Sequence, residues 1–225
     1  MIFDSVTARN SIYLDFEGEG QGNNAANAPL PHMAGIFRPN PKSGGGGTYE
    51  SVFFRESWKA PANGSNGRAH IDKFDRTIEN LIKEAEEKNS FIVFWSDYER
   101  SVINLNTPHI LELFDSVSFN LLPPLRTIKN QRHIDIDQGI EKVLNQYLKA
   151  FLPARPLVPT GGLGPAEACR RIDKFSNIYP MWHDWPNKKK QYLNDLLDYN
   201  EKDCRATWWL GKKLGNINEN KITVR

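Results

Sequence analysis

Asp15 and Glu17 stand two residues apart in the segment Ser11-Ile-Tyr-Leu-Asp-Phe-Glu17. Side chains two apart on a strand project to the same side, so Tyr13, Asp15 and Glu17 share one face while Ile12, Leu14 and Phe16 share the other. Two carboxylates at the end of such a strand lie at the carboxyl edge of a sheet, where α/β folds receive their ligands. The competing reading is a solvent-facing strand end. Spacing alone decides little, because 27 acids in 225 residues form six acid-x-acid pairs where composition yields about three. One of them, Glu84 and Glu86, reads as a solvated helix face. Context separates Asp15 and Glu17: an apolar strand precedes them, and Gly18, Gly20 and Gly22 follow.

A second carboxylate stands near the C-terminal end, in Asp198-Tyr-Asn-Glu-Lys-Asp-Cys-Arg-Ala-Thr-Trp-Trp-Leu210. At helical spacing Tyr199, Asp203, Ala206 and Leu210 fall on one face, which puts an acid inside an apolar stripe. A buried carboxylate requires a cation, a metal or a dense hydrogen-bond shell. A salt bridge to a Lys or Arg would serve as well as a metal. Tyr199, one turn earlier, brings a hydroxyl to the same place. A third group follows the apolar run Phe91-Ile-Val-Phe-Trp95. There Asp97 reads as a helix N-cap and Glu99 as a first-turn acid favoured by the helix dipole.

The elements that must position these groups follow from periodicity. Strands are expected at 11–17, at Met33–Arg38 and at Tyr49–Phe54, the last two joined by the Gly/Pro-rich connector Pro39–Gly47. Ile71, Phe74, Ile78, Leu81, Ile82 and Ala85 recur at helical spacing and predict an amphipathic helix over about 70–88. Phe91–Trp95 reads as a central strand covered on both faces. A short helix should start near Asp97, and Leu111–Phe119 reads as a fifth extended segment. From about residue 136 the pattern is helical, interrupted by Pro153–Pro165. This order predicts one α/β domain over 1–225, a mixed sheet of about five strands flanked by helices.

Composition narrows the function classes. A formal charge of +2 excludes a bulk electrostatic binder, so a nucleic-acid partner needs a local basic surface. Arg126, Lys129, Arg132 and His133 form one basic stretch, Arg170 and Arg171 another, and Lys188–Lys190 a third. Each also reads as a solvated helix face. Trp58, Trp182 and Trp185 are candidates for stacking on bases, whereas Trp95, Trp208 and Trp209 read as packing residues. Two cysteines, Cys169 and Cys204, make neither a disulfide framework nor a zinc finger. No apolar run approaches the ~20 residues that span a bilayer, and the N-terminal segment lacks a signal-peptide core. The expectation is a cytoplasmic protein without a membrane partner. Gly161-Gly-Leu-Gly-Pro165 lacks the Lys-Ser/Thr of a P-loop, the five histidines show no H-x-x-x-H spacing, and no G-x-S-x-G elbow occurs.

These motifs, in this order, resemble those of a known family. Asp15-x-Glu17 on a first strand is similar to motif I of the DEDD (DnaQ-like) 3′–5′ exonucleases of the ribonuclease H-like superfamily. Tyr199-x-x-x-Asp203 is similar to motif III of the DEDDy branch. The wording Tyr199-Asn-Glu-Lys-Asp-Cys-Arg-Ala-Thr207 resembles the exonuclease domains associated with RecB-type nucleases and helicases. In that group the middle motif tends to read Tyr-Glu, as Tyr98-Glu99 does here, and Phe114-Asp115-Ser116 resembles a strand end that follows it. The resemblance implies a ribonuclease H-like fold and a metal-dependent exonuclease acting on 3′ ends of single-stranded DNA or RNA, with a helicase or nuclease as a further partner. It implies two Mg²⁺ or Mn²⁺ ions, with Asp15, Glu17 and Asp203 on one, Asp15 bridging to the second, Glu99 supporting the second, and Tyr199 orienting the attacking water. Glu99 departs from the family's usual aspartate by one methylene. That departure motivates an alternative, a catalytically inactive nucleic-acid-binding module of the same fold. A structural or adaptor protein, which would bind no nucleic acid at any salt, is the reading from a different class.

Overall fold

The computed structural model describes residues 2–19, 29–42, 46–136, 143–159 and 163–222. Parts of the loop after Glu17, of the connector Pro39–Gly47, of the stretch after residue 136 and of Pro153–Pro165 lie outside these residues. The chain runs α1 (Ser5–Asn10), β1 (Ile12–Glu17), β2 (Met33–Pro39), β3 (Gly47–Phe53), α2 (Lys59–Gly64), β4 (Ala69–Ile71), α3 (Phe74–Glu87), β5 (Ile92–Phe94), α4 (Asp97–Asn106), α5 (Leu111–Val117) and β6 (Ser118–Asn120). Four further helices complete it: α6 (Leu122–Gln131), α7 (Leu144–Phe151), α8 (Pro165–Ile178) and α9 (Asn187–Ile222).

The strands form one mixed sheet in the order β4-β3-β2-β1-β5-β6. Only β2 runs against its neighbours; β5 lies parallel to β1, β6 to β5, and β4 to β3. This is the expected α/β architecture, compatible with a ribonuclease H-like fold, with one strand more than expected. The carboxyl ends of β1 and β5 therefore share an edge.

Alternation in β1 decides how the layers divide. Ile12, Leu14 and Phe16 pack with Ile78, Leu81 and Ile82 of α3 and with Phe114 of α5 on one face. Tyr13 points the other way, into a core with Phe37, Val93, Tyr147, Trp208 and Leu210. A third cluster joins Met33, Phe53 and Trp58 to Ile172 of α8 and Leu193 and Leu197 of α9. Helix α9 thus lies across the sheet face opposite α3. No helix among the described residues is long and apolar enough to cross a membrane.

Three expectations are corrected here. The helix predicted from about residue 70 begins at Phe74, because Ala69–Ile71 pairs with Ser51–Phe53 as an edge strand. Leu111–Phe119 is mostly helix: Ile110, Phe114 and Val117 are buried at spacings of four and three while Leu113 is 54% exposed, and only the last residues join the sheet. Consequently Phe114-Asp115 is not a strand end, and Asp115 accepts two hydrogen bonds from the Arg100 guanidinium at 2.8 and 2.6 Å. Finally, Glu84 is not merely a solvated acid. Arg38 of β2 grips its carboxylate at 2.7–2.9 Å, and Lys88 donates to it from the next turn.

Candidate metal centre

Three elements deliver four carboxylates to the carboxyl edge of β1. Strand β1 supplies Asp15 and Glu17, and α9 supplies Asp203. Helix α4 begins where β5 ends and supplies Glu99 from its first turn. Ser96, not Asp97, is the cap of α4; its hydroxyl accepts from the Tyr98 amide at 3.4 Å. Asp97 instead accepts from the Asn120 side chain at 2.7 Å. One carboxylate oxygen each from Asp15, Glu17 and Asp203 lies within 4.8 Å of the others. Glu99 stands outside that triad but lines the same cleft of about 390 Å³, together with Tyr98, Tyr199, Trp95 and Thr207. Segments nearly two hundred positions apart converge as the sequence motifs require.

The cluster is uncompensated. Among the described residues no Lys, Arg or His pairs with any of the four acids, so the salt bridge that would have explained Asp203 is absent. Glu99 is 3% exposed, and its Oε2 atom is buried without a hydrogen-bond partner. Removal from water disfavours charge on all four, and their mutual repulsion adds to it. Burial, then Asp203, pushes Glu17 up to about 8. Burial likewise raises Glu99 to about 8 against opposing hydrogen bonds from its own backbone and Ser96. Asp203 rises to about 7, again through burial, with a hydrogen bond from Tyr199 opposing. Asp15, beside Glu17, Asp203 and Glu99, is held well above the carboxylate range, burial being the largest cause. Burial and the same acids push the Tyr199 phenol upward, so its proton stays on.

An orphaned carboxylate oxygen and a knot of acids without cations are what a hard divalent ion resolves. The donor set, all oxygen, suits Mg²⁺ or Mn²⁺.

Sequence reasoning did not single out the group that joins Asp15 to Glu17. Asn200 of α9 is fully buried. Its amide donates to Asp15 Oδ2 at 2.5 Å and reaches Glu17 Oε1 at 3.5 Å. Its carbonyl accepts from the Tyr49 hydroxyl at 2.8 Å, which in turn accepts from Ser51 at 2.8 Å. This chain crosses from β3 to β1 under α9, and it requires α9 to approach β2 very closely. Gly35, opposite Asp15 in the sheet register, makes the approach possible: a Cβ there would sit 1.5 Å from Asn200 Oδ1. A glycine inside the otherwise apolar strand Met33-Ala-Gly-Ile-Phe37 was the available signal.

Other candidates fare differently. Trp58 and Trp185 are buried in the third core cluster and cannot meet a base. Arg170 and Arg171 are both engaged by Glu167, and Lys129 is buried. Lys189 and Lys190 lie over aromatic rings. A basic pocket of about 480 Å³ does exist elsewhere, assembled from Arg9, Arg155, Lys212 and Lys213 against Trp208 and Trp209. None of its cations neighbour one another in sequence except the lysine pair. At the mouth of the acidic cleft, Asn145 and Val158 exchange two hydrogen bonds of 2.8 Å, holding α7 beside the cluster.

Comparison with family models, with curated proteins and with solved structures finds no match for this chain.

Proposed function

We propose that the protein is a metal-dependent 3′–5′ exonuclease that hydrolyses phosphodiester bonds at single-stranded 3′ ends of DNA or RNA. The observation that carries this reading is the convergence of Asp15, Glu17 and Asp203 within 4.8 Å, with Glu99 on the same cleft and, among the described residues, no basic side chain to neutralise them. The sequence resemblance to DEDDy exonucleases supplies the reaction; the geometry supports it by bringing the matching positions together.

Asp15, Glu17 and Asp203 would hold one Mg²⁺ or Mn²⁺, and Asp15 with Glu99 a second. Two such ions, when bound, offset the charge that builds on the attacking and leaving oxygens. Tyr199 contributes by position. Its phenol keeps its proton, so it orients water by hydrogen bonding and does not serve as the base. The Asn200 amide, by donating to Asp15 and Glu17, would restrict both carboxylates. The basic pocket of Arg9, Arg155, Lys212 and Lys213, or the exposed Lys188, would add salt-dependent phosphate contacts.

The reading is tested by incubating 3′-labelled single-stranded DNA and RNA with the protein and Mg²⁺ or Mn²⁺. Progressive shortening from the labelled end, abolished by chelator and by Asp203→Asn, is the expected result. Because Glu99 stands outside the 4.8 Å triad, the same assay addresses the inactive alternative. Retained oligonucleotide binding with no shortening in either metal would establish a binding module and overturn the enzymatic reading.

A further inference from the structure

A second group of ligand-bearing side chains lies on the far side of the Gly18 turn. Glu19 follows that turn. His32 enters β2, its backbone N–H donating to the Glu17 carbonyl at 2.8 Å. Asp173 comes from α8. One ligand atom from each of the three lies within 4.8 Å of the others.

What marks this group as more than an acidic patch is His32. The side chain is 1% exposed, with its ring 5.3 Å from that of Trp58. Neither ring nitrogen has a hydrogen-bond partner among the described residues, although a buried imidazole normally satisfies at least one. Nε2 points to Glu19 and stops 3.5 Å from Oε1. Asp173 is already oriented from behind, its Oδ1 accepting from the Trp58 indole at 3.2 Å and from the Ser57 hydroxyl at 3.3 Å. Outer hydrogen bonds of that kind are what aim a metal-binding carboxylate. Arg55 lies 3.9 Å from Glu19, so with an uncharged imidazole the group carries one net negative charge.

We propose that Glu19, His32 and Asp173 form a separate zinc site. An imidazole with two carboxylates suits Zn²⁺, which accepts mixed nitrogen and oxygen ligands in a four-coordinate shell and leaves one position for water. The all-carboxylate cluster at Asp15 suits Mg²⁺ or Mn²⁺ instead. The ion would tie α8 to the turn that follows Glu17 and to the start of β2. The proposal stands independently of the exonuclease reading.

The test uses the full chain carrying Asp15→Asn and Asp203→Asn, which removes the other cluster. Zn²⁺ is titrated in competition with a chromophoric chelator. One equivalent should bind. Adding Asp173→Asn, which keeps an oxygen for Trp58 and Ser57 to donate to, should weaken binding by more than the ~10–100-fold that loss of an outer-shell partner costs. His32→Gln should do the same, and circular dichroism reports whether either variant stays folded. Failure of the Asp15/Asp203 variant to bind Zn²⁺, or a folded Asp173→Asn protein that binds it undiminished, overturns the proposal. Neither result bears on oligonucleotide digestion, which is measured separately.

Discussion

Glu84 of α3 and Glu17 of β1 are the same residue type, and they sit in opposite electrostatic states. Glu17 is buried and Glu84 partly buried. Burial pulls Glu84 upward, yet hydrogen bonds from Arg38 and Lys88 outweigh it and hold the carboxyl below the ordinary range. Among the described residues Glu17 has no cation, only Asn200 and further acids, and it rises to about 8. Glu50 completes the Arg38 group on the sheet. The first region is a closed account, each charge matched by a partner in the chain. The second is open: among the described residues no basic side chain matches its acids, and a bound divalent ion is the balance proposed for it. Burial by itself therefore says little about the role of an acid; its partners decide it.

Substitutions in the two regions should diverge. The largest effect is expected at Asp203, where Asp203→Asn should lower metal-dependent digestion by at least about a thousandfold, the scale on which transition-state charge stabilisation is lost. In chelator the same variant should be as stable as the parent or more so by about 1 kcal/mol, since a repelling buried acid is gone. Thermal unfolding beside an oligonucleotide assay checks both halves. Asn200→Ala should leave Asp15 and Glu17 unheld and weaken Mn²⁺ binding by about 10–100-fold in calorimetric titration. Gly35→Ala should reach the same end from the other side by driving α9 away from β2, at a cost of about 1–3 kcal/mol in denaturant unfolding.

The pH dependence of stability carries a sign that distinguishes the two regions. In chelated protein Glu17, Glu99 and Asp203 hold protons up to about pH 7–8, whereas the unfolded chain releases them near pH 4. The folded state binds more protons across that window, so its stability is full below about pH 4 and falls as pH rises through 7–8. Saturating Mn²⁺, which requires the deprotonated ligands, should flatten or reverse the slope of melting temperature against pH. A slope unchanged by Mn²⁺ would mean that these acids do not share an ion. The smallest effect belongs to the matched region: Glu84→Gln should cost about 1 kcal/mol and leave digestion untouched.

Much of this was legible in the sequence for a definite reason. The period-two alternation of Ile12–Glu17 determined which face of β1 carries acids, and the helical spacing of Tyr199, Asp203, Ala206 and Leu210 put an acid on the sheet-facing side of α9. Both are local patterns. Leu111–Phe119 misled because Leu111, Leu113 and Val117 mimic alternation, while the decisive contact, Phe94 against Phe114 at 5.7 Å, is long-range. Asn200 escaped notice because its partners Asp15, Glu17 and Tyr49 lie more than 150 residues away. Gly35 stands out in the sequence only as a glycine in an apolar strand; what it makes room for shows once α9 lies above it. The pairing of Glu84 with Arg38 was hidden likewise, since 46 residues separate them.

The central claim is that Asp15, Glu17 and Asp203 ligate a common ion, and anomalous diffraction from crystals soaked in Mn²⁺ tests it without relying on activity. The account predicts an anomalous peak within bonding distance of all three carboxylates, with Glu99 facing it or a second peak beside it. Saturated crystals with no peak there, or with the three side chains turned apart or clasped by lysine and arginine, would contradict it.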